Sequence, residues 1–457
     1  MIEQAEVREQ DGALSRYFVK SVEMALKNKN HKRLRKLFKD IHESDAADLL
    51  TLLRPEQRAL LMTALGRHFD FNVLPELDET VRNQIIEEMP NEQVAEAVRE
   101  LETDDAVYLL EDMTASDQSE ILAQIPAAER AALQRSLDYP EDSAGRIMQA
   151  DIIVVAPKWT VGQTIDYMRE TSDLPENFSE IYVVDPFFHL LGTVPLSRLL
   201  RTQRPVEIEN IMEKDLFLIN VLEDQEEVAR QFERYNMISS PVIDEDKRLA
   251  GAITVDDIME VIQEEAEEDI HRLGGVGAES LADTVWKTTR LRFSWLFVNL
   301  ITAVIASMVI GLFDATIQEM VALAVLMPIV ASMGGNAGTQ TMTVTVRALA
   351  TRELSAINSW RIVLREMLVG ILNGAVFAVL MGLIAYLWFN NSALGVVIAI
   401  AMIFNLIVAA LSGILIPLAL DKFKIDPAVA SSVFVTTVTD VVGFFAFLGL
   451  AAWWFGI

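Results

Sequence analysis

The chain has 457 residues, 51% of them apolar, and yet carries a formal net charge of -28. The acidity argues against a nucleic-acid partner and suits cation binding, and the absence of cysteine excludes disulfides, thiolate chemistry and sulfur-ligated metals. The two properties are segregated: residues 1–280 hold 58 acids and 29 bases, whereas residues 281–457 hold 8 and 9, so a very acidic soluble front precedes an almost uncharged apolar back.

The opening MIEQAEVREQ lacks the basic-then-apolar layout of a secretory signal, which predicts that the front stays in the cytoplasm. Residues 1–138 read as all-helical. Apolar positions recur at helical spacing in DAADLLTLL (45–53), PEQRALLMTAL (55–65), VRNQIIEEM (81–89), NEQVAEAVRELE (91–102) and SDQSEILAQI (116–125), with Asn, Asp, Ser or Pro near the starts. Short helices with loosely recurring phrases predict a small helical-repeat domain, a module type that binds along one face.

Residues 139–262 contain a repeat. Ile147-Met148 with Asp151 returns as Ile211-Met212 with Asp215, and IYVVDPFFHLLGTVPLSRLL (181–200) returns as SPVIDEDKRLAGAITVDDIM (240–259). Each copy reads as a β-branched pair, an amphipathic helix, a strand, a polar turn, a strand and a further helix. This resembles a tandem pair of CBS modules of α/β type. Such modules often take an adenine nucleotide on a G-x-h-[ST]-x-x-D turn, present as Gly251 to Asp257 with Thr254 and Asp257 as the contacts. In the first copy Pro195 and Arg198 replace the hydroxyl and the acid, so the resemblance implies at most one nucleotide site. A purely structural turn is the other reading.

Residues 263–290 form an acidic connecting helix in this reading, with Glu264, Glu265, Glu267, Glu268 and Asp269 crowded together and Gly274, Gly275 and Gly277 as a flexible break. Like charges three or four apart destabilise an isolated helix, and hard divalent cations take carboxylate oxygens, so a cation-bridged linker competes with a plain solvated face.

Residues 291–457 form a five-span membrane domain, with spans at roughly 293–313, 320–346, 365–389, 394–420 and 428–455, each long enough for a bilayer core of about 30 Å. Basic connections (Lys287, Arg290 and Arg292; Arg347, Arg352, Arg361 and Arg365; Lys422 and Lys424) alternate with base-free ones, which predicts a cytoplasmic N-terminus and an external C-terminus. Trp388, Trp453 and Trp454 suit the outer interface. The second span carries Pro328, Gly334, Gly335 and Gly338 beside Asn336, Thr339 and Gln340, which allows either an irregular, ion-approachable backbone or a kinked, tightly packed helix.

Asp440 lies about 13 residues into the fifth span, roughly 20 Å at helical rise. No Lys or Arg lies at similar depth. An intramembrane acid is a functional candidate by default, and Ser432, Thr436 and Thr437 on the preceding turns extend an oxygen-lined face suited to a hard cation. A two-fold axis would oppose two such carboxylates across a hydrated ion. A proton relay at Asp440 is the competing reading.

An acidic helical domain, paired CBS modules, an acidic connecting helix and five spans, together with P-x-x-x-x-x-G-G-N-x-G-x-Q (Pro328 to Gln340), D-P-A (Asp426 to Ala428) and T-D-V-x-G (Thr439 to Gly443), resemble the MgtE family of magnesium channels. The resemblance implies a homodimer in the cell inner membrane, with a pore lined by the second and fifth spans. Asp440 would stand at the ion site, Asp426 at the cytoplasmic mouth, and Asn336 and Thr437 along the path. It also implies closure by cytosolic Mg2+ on sensor acids Asp257, Glu260, Glu265, Glu268 and Asp269, with Glu226 in the second CBS copy and Asp104 and Asp105 in the helical domain. Asn236 stands where a further sensor acid is expected. A Na+- or H+-coupled divalent cation exchanger is the alternative, and a membrane-anchored sensor a third reading. With no P-loop, no H-E-x-x-H and five unclustered histidines, an enzyme or an ATP-driven pump is not expected.

Overall fold

The described residues between 16 and 137 are largely helical in the computed structural model, which describes residues 7–111, 113–171, 174–175, 177–277, 279, 283–354 and 359–456. Nine α-helices are found among the described residues of this segment: α1 (Arg16–Lys27), α2 (His31–Leu37), α3 (Glu43–Leu52), α4 (Pro55–Leu65), α5 (Glu79–Glu88), α6 (Asn91–Glu100), α7 (Thr103–Glu111), α8 (Ala115–Leu122) and α9 (Ala127–Leu137). Each is too short to persist alone, so tertiary burial must hold it. Asn30, Asp78 and Thr114 accept backbone N–H groups at helix starts, and Pro55 occupies a first helical position. The helices lean on sequence neighbours (α1 on α2, α2 on α4, α6 on α7 and α8, α7 on α9), as stacked helical repeats do. Val22, Leu49, Leu50, Leu61, Leu74 and Leu110 are fully buried between them.

The repeat becomes two matching three-stranded sheets. In the first, β1 (Val154–Val155), α10 (Val161–Glu170), β2 (Glu180–Val184), β3 (Leu190–Pro195) and α11 (Leu196–Arg201) follow in order. In the second they are β4 (Ile219–Asn220), α12 (Gln225–Tyr235), β5 (Ser239–Ile243), β6 (Leu249–Thr254) and α13 (Val255–Leu273). β1 pairs parallel with β2, which pairs antiparallel with β3, and β4, β5 and β6 repeat that arrangement, down to a bulge at Val183/Val184 and at Val242/Ile243. The modules exchange backbone hydrogen bonds reciprocally: Gln149 pairs with Ala252, and Glu213 with Thr193. Gly251 and Gly192 make these approaches possible, since a Cβ would lie 2.5 Å from the Gln149 carbonyl oxygen in one case and 2.5 Å from that of Glu213 in the other.

The chain divides into two compact units, Met1–Glu264 and Glu265–Ile457. The acidic run lies on α13, which continues from β6 and ends at Leu273, followed by Gly275 at φ +69°. Of the segment expected to form the connector, Ala278 and Ser280–Ala282 lie outside the described residues.

The second unit contains α14 (Val285–Gly311), a short α15 (Asp314–Glu319), α16 (Ala322–Ala350), α17 (Ser359–Phe389), α18 (Ser392–Lys422) and α19 (Pro427–Phe455). All except α15 are long and apolar enough to cross a membrane. α14 and α17 begin about two turns before the apolar stretches do, because VWKTTRLR and SWRIVL continue the helix through residues suited to a polar interface. α18 is the most enclosed span and packs on α16, α17 and α19, around Leu326, Val330, Val397, Ala401, Met402, Phe447 and Leu448. α16 runs without a break through Pro328 and the glycines, so the packed-helix reading of this stretch holds over the irregular-backbone one. Gly334 and Gly338 face neighbouring spans, while nothing lies within 4 Å of where a Cβ on Gly335 would be.

Candidate functional site

In the front unit, the first turn of α7 brings Asp104 and Asp105 to the acids that α13 carries on its opening turns. A cavity of about 300 Å³ is lined there by eight carboxylates (Asp104, Asp105, Glu111, Glu141, Asp142, Asp257, Glu260 and Glu264) and by one base, Arg146. Oδ1 of Asp104 is buried without a hydrogen-bond partner. Asp104 and Asp257 line the same cavity, and the charge of each opposes ionisation of its neighbour. Burial, then repulsion from Asp257 and Asp105, holds Asp104 well above the usual carboxylate range. Desolvation first, then Glu260 and Glu102, pushes Asp105 up to about 7. Desolvation first, then Glu76 and Asp257, pushes Glu260 up to about 7. Such a cluster is repulsive once its protons leave, and an oxygen-seeking cation can replace them. Among the described residues no three His, Cys, Asp or Glu side chains converge closely enough to chelate a bare metal ion.

Asp104, Asp105, Asp257 and Glu260 are thus brought together. Glu226 is not among the residues lining the cavity: on the first turn of α12, it accepts from Arg230 at 2.9 Å. Asn236 closes α12 in a left-handed conformation at φ +52°. The reading from sequence names Glu264 only within the acidic run and misses Glu111, Glu141 and Asp142 as lining groups. Glu141 and Asp142 directly follow Pro140, at the joint between the helical and CBS segments.

The turn at Thr254 is internally bonded. The Thr254 hydroxyl donates to Asp257 Oδ2 at 2.8 Å and also to Asp256, and its N–H donates to Asp257 Oδ2 at 3.1 Å. This closes the strand-to-helix corner and aims the Asp257 carboxylate beside Gln149 Nε2, 3.4 Å away. In the first module the matching Arg198 instead binds the Ile211 carbonyl and Glu213.

In the second unit, Glu268 pairs with Arg272, whose guanidinium also binds Asp426. Asp426 caps α19 through Oδ1, which accepts the Ala428 N–H at 2.7 Å. Next to it Leu273 packs against Met342, Val346, Ala428 and Val435 at the near ends of α16 and α19. Asp269 is pushed up by burial and then by Asp426, and Glu265 lies one turn earlier on α13.

Along the span, α16 exposes Ser332, Asn336, Thr339, Gln340 and Thr343, an i, i+4, i+7, i+8, i+11 polar stripe on an otherwise apolar helix. Gly338 abuts Val435 and Thr439 of α19, which puts this stripe at the depth of Thr436, Thr437 and Asp440. Thr436 and Thr437 donate their hydroxyl protons to the carbonyls of Ser432 and Val433, at 2.8 and 2.6 Å. Their outward lone pairs are then left as acceptors, the arrangement a cation needs. Among the described residues Asp440 makes no ion pair. An exposed stripe of this polarity is tolerated at membrane depth only against water or protein.

The chain is similar to known proteins along most of its length. Residues 327–450 match the MgtE model described as a divalent cation transporter, residues 41–142 the MgtE intracellular N domain, and residues 144–204 and 208–264 the CBS domain. The chain is 31% identical to the magnesium transporter MgtE of Bacillus subtilis, covering 91% of this chain and 90% of that protein. It is also 31% identical to the magnesium transporter MgtE of Thermus thermophilus, covering 94% and 97%. Two solved structures resemble the front. The soluble part of a magnesium transporter has a TM-score of 0.50 at 27% identity, over 55% of this chain and 98% of that one. The cytosolic domain of the Mg2+ channel MgtE in complex with ATP has a TM-score of 0.50 at 28% identity, over 53% and 99%.

Proposed function

The chain belongs to the MgtE family, as a multi-pass membrane protein, and on that premise we propose that it is a Mg2+ uptake channel, closed by Mg2+ bound to its acidic front. The observation that carries the reading is the polar stripe of α16 beside Thr436, Thr437 and Asp440, exposed in a unit that is otherwise lipid-compatible. A second copy of the chain is the partner that covers such a stripe and doubles Asp440 across a two-fold axis, so the working unit is a homodimer. Asn336, Thr437 and Asp440 then receive a largely hydrated ion, and Asp426 stands at the entrance to the cytoplasm.

The front lies in the cytoplasm and the C-terminus outside, a topology supported by the alternation of basic and base-free connections. When cytosolic Mg2+ is plentiful it displaces protons from Asp104, Asp105, Asp257 and Glu260, relieves their repulsion and favours the closed state. When it is scarce the repulsion returns. The second CBS module takes an adenine nucleotide at the Thr254–Asp257 turn. The ATP complex of a similar cytosolic domain supports this reading, and the residues fit it to the extent that one acid and one hydroxyl stand at a strand-to-helix corner. No catalytic chemistry is assigned.

Reconstitution tests the channel. Mg2+ entry into vesicles should follow the Mg2+ gradient alone, be suppressed by internal Mg2+ and fall about a hundredfold or more in Asp440→Ala, as expected when a positioned charge is removed. Flux that needs a Na+ or proton gradient would replace the channel with an exchanger.

A further inference from the structure

Asn405 is fully buried in the middle of α18, and the proposed pathway makes no direct use of it. Its Nδ2 donates to the Val330 carbonyl of α16 at 2.7 Å, and its Oδ1 is buried with no hydrogen-bond partner. An isolated amide in an apolar span costs free energy, and half of this one is unsatisfied. Two other spans close on the same side chain. A Cβ on Gly334 of α16 would lie 2.3 Å from Nδ2, and a Cβ on Gly443 of α19 would lie 2.9 Å from Oδ1. Neither approach leaves room for any residue larger than glycine without displacement of the amide.

The two glycines belong to the pathway turns. Gly334 is two residues before Asn336, and Gly443 is one helical turn after Asp440. Val330 is also the residue whose carbonyl, in helical geometry, receives the N–H of residue 334. The amide therefore grips α16 at the turn that carries Asn336 and presses on α19 at the turn that follows Asp440. Gly338 against Val435 makes the next contact between the same two helices, and a Cβ on Gly413 of α18 would lie 2.7 Å from the Gly338 carbonyl oxygen.

We propose that Asn405 is a positioning residue of the ion pathway, whose amide fixes the spacing between the Asn336 and Asp440 turns and so sets discrimination among divalent cations. The proposal rests on the pathway reading above. Its physical basis is that lipid supplies no hydrophobic drive to hold α16 and α19 together, so the contacts of one amide with both weigh heavily in their spacing. Displacement of a binding group by about 1 Å changes rates by up to about a hundredfold.

The test uses the full chain in vesicles, with Mg2+ and Ca2+ entry measured separately and melting followed in detergent. Asp440→Ala is run alongside: wild-type flux in that variant would defeat the pathway reading itself, independently of Asn405. Asn405→Leu keeps a branched side chain but donates nothing. It should alter the Mg2+ to Ca2+ ratio by at least about tenfold while still folding. Gly334→Ala should reduce flux in the wild-type background and add little in Asn405→Ala, where the colliding amide is gone. If Asn405→Leu and Asn405→Ala lower the melting temperature but the remaining flux keeps wild-type discrimination, Asn405 is only a packing group and the proposal is overturned. Independent, additive losses from Gly334→Ala and Asn405→Ala would overturn it as well.

Discussion

Replacement of Asp105 by Asn separates repulsion from packing in the acidic cavity. The Asp105 carboxyl titrates at about 7 in the folded front against 3.8 ordinarily. Between those values the folded state holds a proton that the unfolded chain has released, so stability falls as pH rises. The penalty is absent below about pH 4 and complete above about pH 7. Three pH units correspond to roughly 4 kcal/mol. Screening at the open side of the cavity reduces this to about 2 kcal/mol. Asparagine does not ionise, so Asp105→Asn should stabilise the metal-free front by about 1–2 kcal/mol near pH 8 and leave it unchanged near pH 4. Mg2+ should narrow the difference: at ten times its dissociation constant a cation adds about 1.4 kcal/mol to the wild type, and the variant, one carboxylate short, gains less. Hydrogen exchange of α7 and the first turns of α13 in the full chain, with chelator or Mg2+ and corrected for intrinsic rate, reads both effects. An Asp105→Asn protein that is less stable than wild type near pH 8 without metal would show that the carboxylate serves packing, and would refute the repulsion argument.

Three other outcomes follow from geometry already described. Arg272→Gln removes the clasp on Asp426 and should weaken closure, seen as Mg2+ entry that persists at internal Mg2+ levels that silence the wild type; unchanged suppression would dissociate the clasp from gating. Asp426→Asn keeps a capping side chain but loses both the ion pair and the carboxylate at the cytoplasmic mouth, so it should weaken suppression as Arg272→Gln does and also lower flux, with α19 intact by circular dichroism. Gly251→Ala places a Cβ 2.5 Å from the Gln149 carbonyl oxygen and should cost the front about 1–3 kcal/mol, read by proteolysis of the CBS segment; wild-type protease resistance would mean that the reciprocal strand pairing is softer than it looks.

The parts of this fold that were legible in the sequence are those written in period and repetition. Helical spacing located the short helices, the 59-residue echo located both CBS modules, and apolar length located five spans. Helix ends were less legible, because α14 and α17 continue through Lys287, Arg290, Arg361 and Arg365, where the backbone stays helical although the apolar count has stopped. Among site residues, Asp440 stood out because a carboxylate in an apolar run has no cheap explanation. Asp104 and Asp257 are 153 positions apart, and only the folded chain shows that they line one cavity. Asn405 gave no signal at all. An Asn flanked by Phe404 and Leu406 looks like a tolerated polar residue until Gly334 and Gly443, from two other helices, are found against its amide. In the sequence Gly334 reads as backbone freedom or close packing, and Gly443 only as part of a motif. Their absent side chains are better understood as the space that Asn405 occupies, so the polar group and the small residues that accommodate it form one feature, divided by the chain among three spans.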